Sequence, residues 1–388
     1  MTSKKLKIVV ACDKYKGSLT AFDVCTIIRR SILDLNPDID VVVNPMADGG
    51  DGTVDTLVKS LSGEYVHLNV TGPLGENIKS YFGLIDNKKT AVIEMSLASG
   101  LSLIPPGKKD PLSATTFGTG ELIKKALDMS CRKIIIGIGG SATNDAGMGA
   151  LQALGVKFFD RNKKELGFGG SGLIKLDFID AENIHQGVRD TEIFIACDVD
   201  NPLYGKNGAA FVYAPQKGAD SSQVVLLDSG LRNFSSIVKN QFGRDVSRIK
   251  GAGAAGGLGA GLAAFLNAKI KSGTDLIITA TELESKIKDA DLVITGEGAM
   301  DFQTFFGKTP FGVASLAAKY GISVITINGS VDIDYNKIKK SQLDLFSGNF
   351  DIINRAMNIG EAMSSAEANL YRCVKEITKF YLRTVGAD

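Results

Sequence analysis

The segment Gly139-Gly140-Ser141-Ala142-Thr143-Asn144-Asp145-Ala146-Gly147 constrains the fold more than any other stretch of the chain. It follows Lys133 to Ile136, a β-branched run that reads as a buried strand, and it precedes Met148 to Leu154, which reads as a helix. A glycine-rich turn from strand to helix directs backbone N–H groups at a ligand, with the positive end of the helix dipole behind them. Phosphate is the commonest guest of such a turn. Serine, threonine, asparagine and aspartate within it add hydroxyl donors, an amide and a carboxylate, a mixture that suits phosphate with a metal better than phosphate alone.

A chain of 388 residues exceeds one ordinary core, so two domains are expected. Average hydrophobic and charged content indicates a soluble globular protein. The net charge of +1 and the lack of a basic stripe argue against nucleic acid as a partner. Glycine is frequent at 44 residues and clusters in motifs, as ligand loops do, whereas proline is scarce at 9. The only imidazoles are His67 and His185. Five cysteines, an odd count without a C-x-x-C pair, argue for a reducing, cytoplasmic setting and against a zinc site or disulfide framework. The basic start Met1 to Lys7 leads into a short apolar run ending at Asp13, which reads as a first strand and not a signal peptide. Gly251 to Leu266 is too short and glycine-rich for a membrane span and reads as a glycine loop opening a buried helix.

Along the chain, strands are expected at Ile8 to Ala11 and Asp40 to Asn44, with helices from Thr20 to about Leu35 and over Val54 to Leu61. This is the rhythm of a parallel α/β sheet. Tyr65 to Val70, Ser80 to Ile85 and Thr90 to Met95 then read as an antiparallel unit, followed by a helix over Gly118 to Met129. Further strand-like runs are Val156 to Phe159, Glu192 to Ala196 and Ala209 to Tyr213. The parallel rhythm returns with strands at Leu292 to Thr295, Val324 to Asn328 and Leu343 to Phe346, a helix at Pro310 to Tyr320 and a closing helix at Glu361 to Phe380. The expected organisation is an α/β domain from 1–62 and 250–388, with segment 114–145 a candidate addition to it, and a second α/β domain with antiparallel strands inserted at 63–249.

Four further loops share the style of the opening motif: Asp13 to Ser18, Asp48 to Thr53, Asp198 to Gly205, and Gly296 to Pro310. A single such loop is usually a turn, and a single acid within it usually a helix cap. Five of them after strands point to a shared cleft at strand carboxyl ends. Their carboxylates are Asp13, Asp48, Asp51, Asp145, Asp198, Asp200, Glu297 and Asp301. Such a set fits two-carboxylate hydrolysis, or magnesium held for phosphoryl transfer with another acid taking the alcohol proton. Lys14, Lys16 and Lys308 favour phosphoryl transfer, because phosphate and an acidic substrate both need cations. A P-loop is absent, since Phe302 stands where Gly307-Lys308-Thr309 would need its first glycine. Gly137-Ile138-Gly139-Gly140-Ser141-Ala142 does match G-x-G-x-x-A after a strand, which keeps an NAD(P)-dependent oxidoreductase as an alternative.

With these motifs in order, the chain resembles the bacterial type I glycerate kinases over nearly its whole length. The resemblance rests on Asp13 to Ala21, Met46 to Thr53, Gly139 to Asp145, Asp198 to Leu203, Pro215-Gln216-Lys217-Gly218-Ala219, Gly253 to Gly259, and Thr295 to Gly298 with Asp301, Gln303, Thr304, Gly307 and Lys308. It implies a Rossmann-like or flavodoxin-like parallel-sheet domain with a second α/β domain, and an active site in the cleft between them. It implies phosphorylation of glycerate, mainly to 2-phosphoglycerate, with ATP and Mg2+. The partner would be that small molecule, without nucleic acid or membrane, and a homodimer is allowed.

On this reading Asp198, then Asp48, is the general base, and Asp48, Asp198 and Asp301 position magnesium. Lys16 and Lys308 neutralise phosphoryl or carboxylate charge. Substrate or phosphate is held by Asp13, Ser18, Gly49, Gly50, Gly139, Gly140, Ser141, Thr143, Asn144, Asp145, Asn201, Glu297 and Gln303. Three departures from the family pattern stand out: Lys14-Tyr15 in place of Ser-Phe, Asp51 in place of Glu, and Ala299 in place of a basic residue. The last leaves a non-catalytic sugar-acid sensor as a further alternative.

Overall fold

A computed structural model of the protein describes residues 5–386. The backbone separates into two compact units. One takes the chain up to Asp48 and again from Thr274; the other is Gly49–Gly273.

The first unit is built on five parallel strands in the spatial order Gly348–Asp351, Val324–Asn328, Leu292–Gly296, Lys7–Cys12 and Asp40–Val43. Counted along the chain this is the order 2-1-3-4-5, the flavodoxin-like form of a doubly wound sheet. Its central strands are apolar on both faces, as a sheet covered by helices requires. Val9, Val10, Val293 and Ile327 are fully or almost fully buried. Helix Ala21–Leu33 begins where expected: Thr20 and Asp23 form a reciprocal capping box. It packs against the closing helix Ala366–Val385, with Ile28, Ile32, Leu370 and Val374 in one core.

The second unit holds a six-stranded sheet in the order Lys269–Lys271, Glu192–Ala196, Lys133–Gly137, Thr90–Glu94, Asn77–Ile85 and Glu64–Thr71. The first four are parallel and the last two antiparallel. The expected antiparallel unit is thus the edge of a mixed sheet, because Thr90–Glu94 also pairs in parallel with Lys133–Gly137. The units divide at 48/49 and 273/274, not near 62 and 250. Helix Thr53–Ser60 packs on strands of the second sheet, and Lys269–Lys271 is one of its strands, so both flanks join this unit. Segment 114–145 belongs to it as well.

Two strand expectations are overturned. Ala209–Tyr213 is a helix, because Gly208 opens it and it packs on the long helix Ser221–Phe242. In the other, helix Lys340–Leu343 is followed by the strand Gly348–Asp351, which carries the last parallel pairing in place of Leu343 to Phe346. The glycine-rich run at 251–257 opens helix Leu258–Leu266, and no helix among the described residues is long and apolar enough to cross a membrane. Its glycines serve close backbone packing. A methyl on Gly256 would lie 2.0 Å from the Thr143 carbonyl oxygen, and its φ of +67° is one that L side chains rarely adopt. Gly256→Ala is therefore expected to destabilise the protein by roughly 3 kcal/mol or more, seen as a large fall in denaturant midpoint. A midpoint equal to wild type would show that the two segments can separate without cost.

Candidate functional site

In the first unit, chain reversal of the sheet order falls between Lys7–Cys12 and Leu292–Gly296, and ligands of open α/β sheets bind outside the carboxyl ends of strands at such a point. The residues just beyond these strands line a pocket of about 570 Å³. Asp13, Lys14, Lys16 and Ser18 come from the first loop, Glu297, Ala299, Asp301 and Lys308 from the other, and Asp48 completes the polar side. Ile353, Ile359 and Met363 form an apolar wall.

Lysines sit between carboxylates here. Lys14 Nζ lies 3.7 Å from Asp13 Oδ1 and 3.5 Å from Asp48 Oδ1. Lys308 Nζ lies 3.7 Å from Glu297 Oε2 and 3.7 Å from Asp301 Oδ1. Burial pushes Glu297 up to about 7, against the Thr304 hydroxyl bond and the Lys308 charge, which pull it down. Burial likewise pushes Asp13 up to about 6, opposed by Lys14 and reinforced by Asp48. Asp48 and Asp301 are the more exposed carboxylates. Of the two family departures in this loop, Lys14 is a pocket cation, whereas Tyr15 is buried and donates its hydroxyl to the Ile327 carbonyl at 2.7 Å. Gln303 is exposed and outside the pocket lining, its amide N–H bound to Asp301.

In the second unit the glycine turn leaves strand Lys133–Gly137 and meets the Gly49-Gly50-Asp51 loop backbone to backbone. A methyl on Gly137 would lie 2.4 Å from the Gly49 carbonyl oxygen, and one on Gly139 would lie 2.9 Å from the Gly50 Cα. Gly49, Gly50, Gly139 and Gly140 are thus brought together. The dense polar run after them is not presented to a ligand: Thr143, Asn144 and Asp145 are fully buried. The Asp145 carboxylate accepts from the Thr116 amide and hydroxyl and from the amides of Gly147 and Gly149. Those last two amides open helix Met148–Ala153, so the donors expected to face phosphate are already taken within the protein. The part of the turn that reaches solvent is Gly139, Gly140 and Ser141. The dinucleotide motif also lacks its context, since the helix opens only at Met148, well past Ala142.

Asp198 follows the neighbouring strand Glu192–Ala196 and accepts from the Gly273 amide at 2.9 Å. The Asn201 amide group spans its own loop, donating to Asn207 and accepting from Tyr213. Among the described residues no three His, Cys, Asp or Glu side chains are grouped to hold a metal ion. Asp48 and Asp301 stand in one unit and Asp198 in the other.

Two buried charges escaped sequence reasoning. Glu94, at the end of its strand, accepts from the amides of Gly52 and Val54 and so caps helix Thr53–Ser60. Burial pushes it up to about 7, opposed by those amides and reinforced by Asp51 and Asp55. Lys217 is 2% exposed and donates to Ser141 Oγ and the Thr143 carbonyl, each at 2.7 Å. Burial draws its ammonium down to about 7, resisted by Asp145. The signal for Lys217 was its place in the Pro215 to Ala219 motif; nothing local pointed to Glu94.

A flavodoxin-like sheet with a lysine and carboxylate pocket at its switch point, in a chain whose other unit bears stacked glycine loops, defines an α/β enzyme that handles anionic groups. Comparison with known proteins gives the particular family. The glycerate kinase family model matches residues 8–382. A glycerate 2-kinase of Escherichia coli is 45% identical, covering 96% of this chain and 97% of that one. A glycerate kinase of Halalkalibacterium halodurans is 44% identical, covering 95% and 97%. The crystal structure of a Salmonella typhimurium protein assigned as glycerate kinase 2 superposes with a TM-score of 0.89 at 40% identity, covering 99% of this chain and all of that one. The chain belongs to the glycerate kinase family and is a phosphotransferase, which sets aside the oxidoreductase and sensor readings.

The raised Glu94 carries a stability prediction. A carboxyl raised in the folded state contributes stability that is complete below its ordinary value and is lost as pH rises through the folded value. For a shift from 4.5 to about 7 this is roughly 3 kcal/mol at about 1.4 kcal/mol per pH unit. Glu94→Gln should therefore gain roughly 2–3 kcal/mol relative to wild type between pH 5 and pH 8, read from urea midpoints. A constant difference across that range would mean Glu94 is ionised throughout.

Proposed function

We propose that this protein transfers the terminal phosphoryl group of ATP to a hydroxyl of glycerate, giving 2-phosphoglycerate. The observation that carries the reading is the pocket of the first unit, where Lys14, Lys16 and Lys308 stand beside Asp13, Asp48, Glu297 and Asp301. Glycerate brings a carboxylate and ATP brings phosphates, and both need cations in a confined site. Glycerate has almost no apolar surface, so it occupies the charged side.

Phosphoryl transfer asks the protein mainly for positioning and charge. It also asks for a group to take the hydroxyl proton as that oxygen attacks phosphorus and ADP leaves. A base works best when its pKa lies near the operating pH. Glu297 meets this condition inside the pocket, held by the Thr304 hydroxyl and Lys308. Asp198, the first choice from sequence, has one oxygen engaged by the Gly273 amide and is the competing candidate. Asp48 and Asp301 fit magnesium that keeps phosphate and water as most of its ligands, which is the usual way this ion is held beside nucleotides. An ion held there would neutralise phosphate charge. Lys16 and Ser18 line the same pocket and, on this reading, hold the acid substrate or a phosphate.

Incubation with ATP, magnesium and D-glycerate, with the product identified by phosphorus NMR, tests the reaction; no phosphoglycerate would sink it, and 3-phosphoglycerate would correct the regiochemistry. Glu297→Gln is expected to lower kcat about 100-fold or more with little change in either KM. Asp198→Asn should cost far less, and the reverse order would transfer the base role to Asp198. The base must be ionised, so wild-type kcat/KM should fall as pH drops below about 7. Lys308→Met removes a charge that lowers Glu297, so it should move that limb to higher pH.

A further inference from the structure

Lys217 is the least expected charge in the molecule. It ends the short helical turn Pro215–Lys217, is almost wholly buried, and both of its hydrogen-bond partners are neutral. Burying an ammonium is costly, by several kcal/mol before compensation, and the carboxylate that offsets it, Asp145, is not among its hydrogen-bond partners. The glycine turn that Lys217 reaches leaves the Thr143 hydroxyl and the Asn144 side-chain amide buried without partners. A turn needed only to join a strand to a helix would be more stable with apolar residues in these places.

The geometry at Ser141 accounts for the lysine. A hydroxyl has one hydrogen and accepts through its lone pairs. With Lys217 Nζ donating to Ser141 Oγ at 2.7 Å, the hydroxyl hydrogen must point away from the ammonium. Everything from Ala142 to Ala150 is buried, whereas Gly139, Gly140 and Ser141 reach solvent. The hydroxyl hydrogen is therefore left for an acceptor other than Lys217, Ser141 itself reaches solvent, and a protonated Lys217 polarises the hydroxyl into a stronger donor. The backbone holds this arrangement from the other side, since Leu101 donates to the Gly140 carbonyl and Ala142 to that of Ser99.

We propose that Lys217 is a positioning residue that fixes the Ser141 hydroxyl as an outward donor to an anionic oxygen of the bound substrates, a phosphate oxygen of the nucleotide or the carboxylate of the hydroxy acid. The proposal rests on the reaction proposed above, and it assigns Lys217 no contact of its own with substrate. Lys217 acts across 76 residues of sequence, through one side chain.

The test is a double-mutant cycle on the full chain with Ser141→Ala, Lys217→Met and both together. A hydrogen bond to a charged group is worth about 1.5–3 kcal/mol, or roughly 10- to 100-fold. Each single variant should lower kcat/KM by about that factor, and the double variant should be no worse than the poorer single. The KM that rises in Ser141→Ala names the partner: that for ATP indicates phosphate, that for glycerate the carboxylate. If Lys217→Met does not fold, Lys217→Gln takes its place in the cycle. Calorimetric binding of ATP and of D-glycerate separates this proposal from the reaction. Weaker binding by both single variants, with no further loss in the double variant, upholds it even if the wild type does not turn over. It is overturned if Ser141→Ala matches wild type in turnover and in binding of both ligands, or if the two single losses multiply in the double variant. Wild-type protein that binds neither ligand overturns it as well.

Discussion

The pocket depends on one long-range pairing. Lys7–Cys12 and Leu292–Gly296 lie side by side in parallel, with Cys12 opposite Gly296, although some 280 residues separate them along the chain. The pairing continues one residue further through the Asp13 amide, which donates to the Gly296 carbonyl at 2.9 Å. Asp13 and Glu297 are thus the first residues released from two adjacent strands. A slip of one residue would turn each of these side chains to the other face. The register is secured by core residues on both strands, Ile8 and Val10 on one and Leu292 and Ile294 on the other. Once the strands are paired, the lysines of the two loops and the carboxylates they neutralise follow.

The second unit solves a different problem, that of bringing backbones together. Side chains would keep the loop at 49–51, the turn at 137–144 and the glycines at 253–257 apart, and glycine removes that obstacle. The result is a compact arrangement in which the polar residues of the turn are consumed internally. Asp145 satisfies four donors, and Lys217 holds one hydroxyl and one carbonyl. Buried polar groups of this kind specify a unique geometry when they are paired.

Much of the fold was legible in the sequence. The strand at 133–137, the Thr20 cap and the parallel rhythm at both ends rest on local signals: β-branched runs, a capping box, and alternation of strand with helix. The candidate loops were legible too, because glycine with acids after a strand is a local pattern. Where local patterning misled, tertiary packing decided. Ala209–Tyr213 has a strand-like composition but lies helically on Ser221–Phe242. Thr143, Asn144 and Asp145 have the composition of a ligand loop but face inward. Glu94 and Lys217 gave almost no local sign, because their significance comes from burial and from partners far along the chain.

The sequence by itself determined the class of the protein: an α/β chain with glycine- and acid-bearing loops after its strands, in the order found in the glycerate kinase family. Spacing and residue type suffice for that, since they act through short-range backbone preferences. Only the tertiary structure decided which of those residues can meet a ligand. It placed Asp13, Glu297 and Lys308 around one pocket, put Asp198 in the other unit, and turned Asp145 from a ligand candidate into an internal cap. Exposure, charge pairing and the resulting shifts in proton affinity depend on what packs around a group, and no local stretch of sequence carries that information.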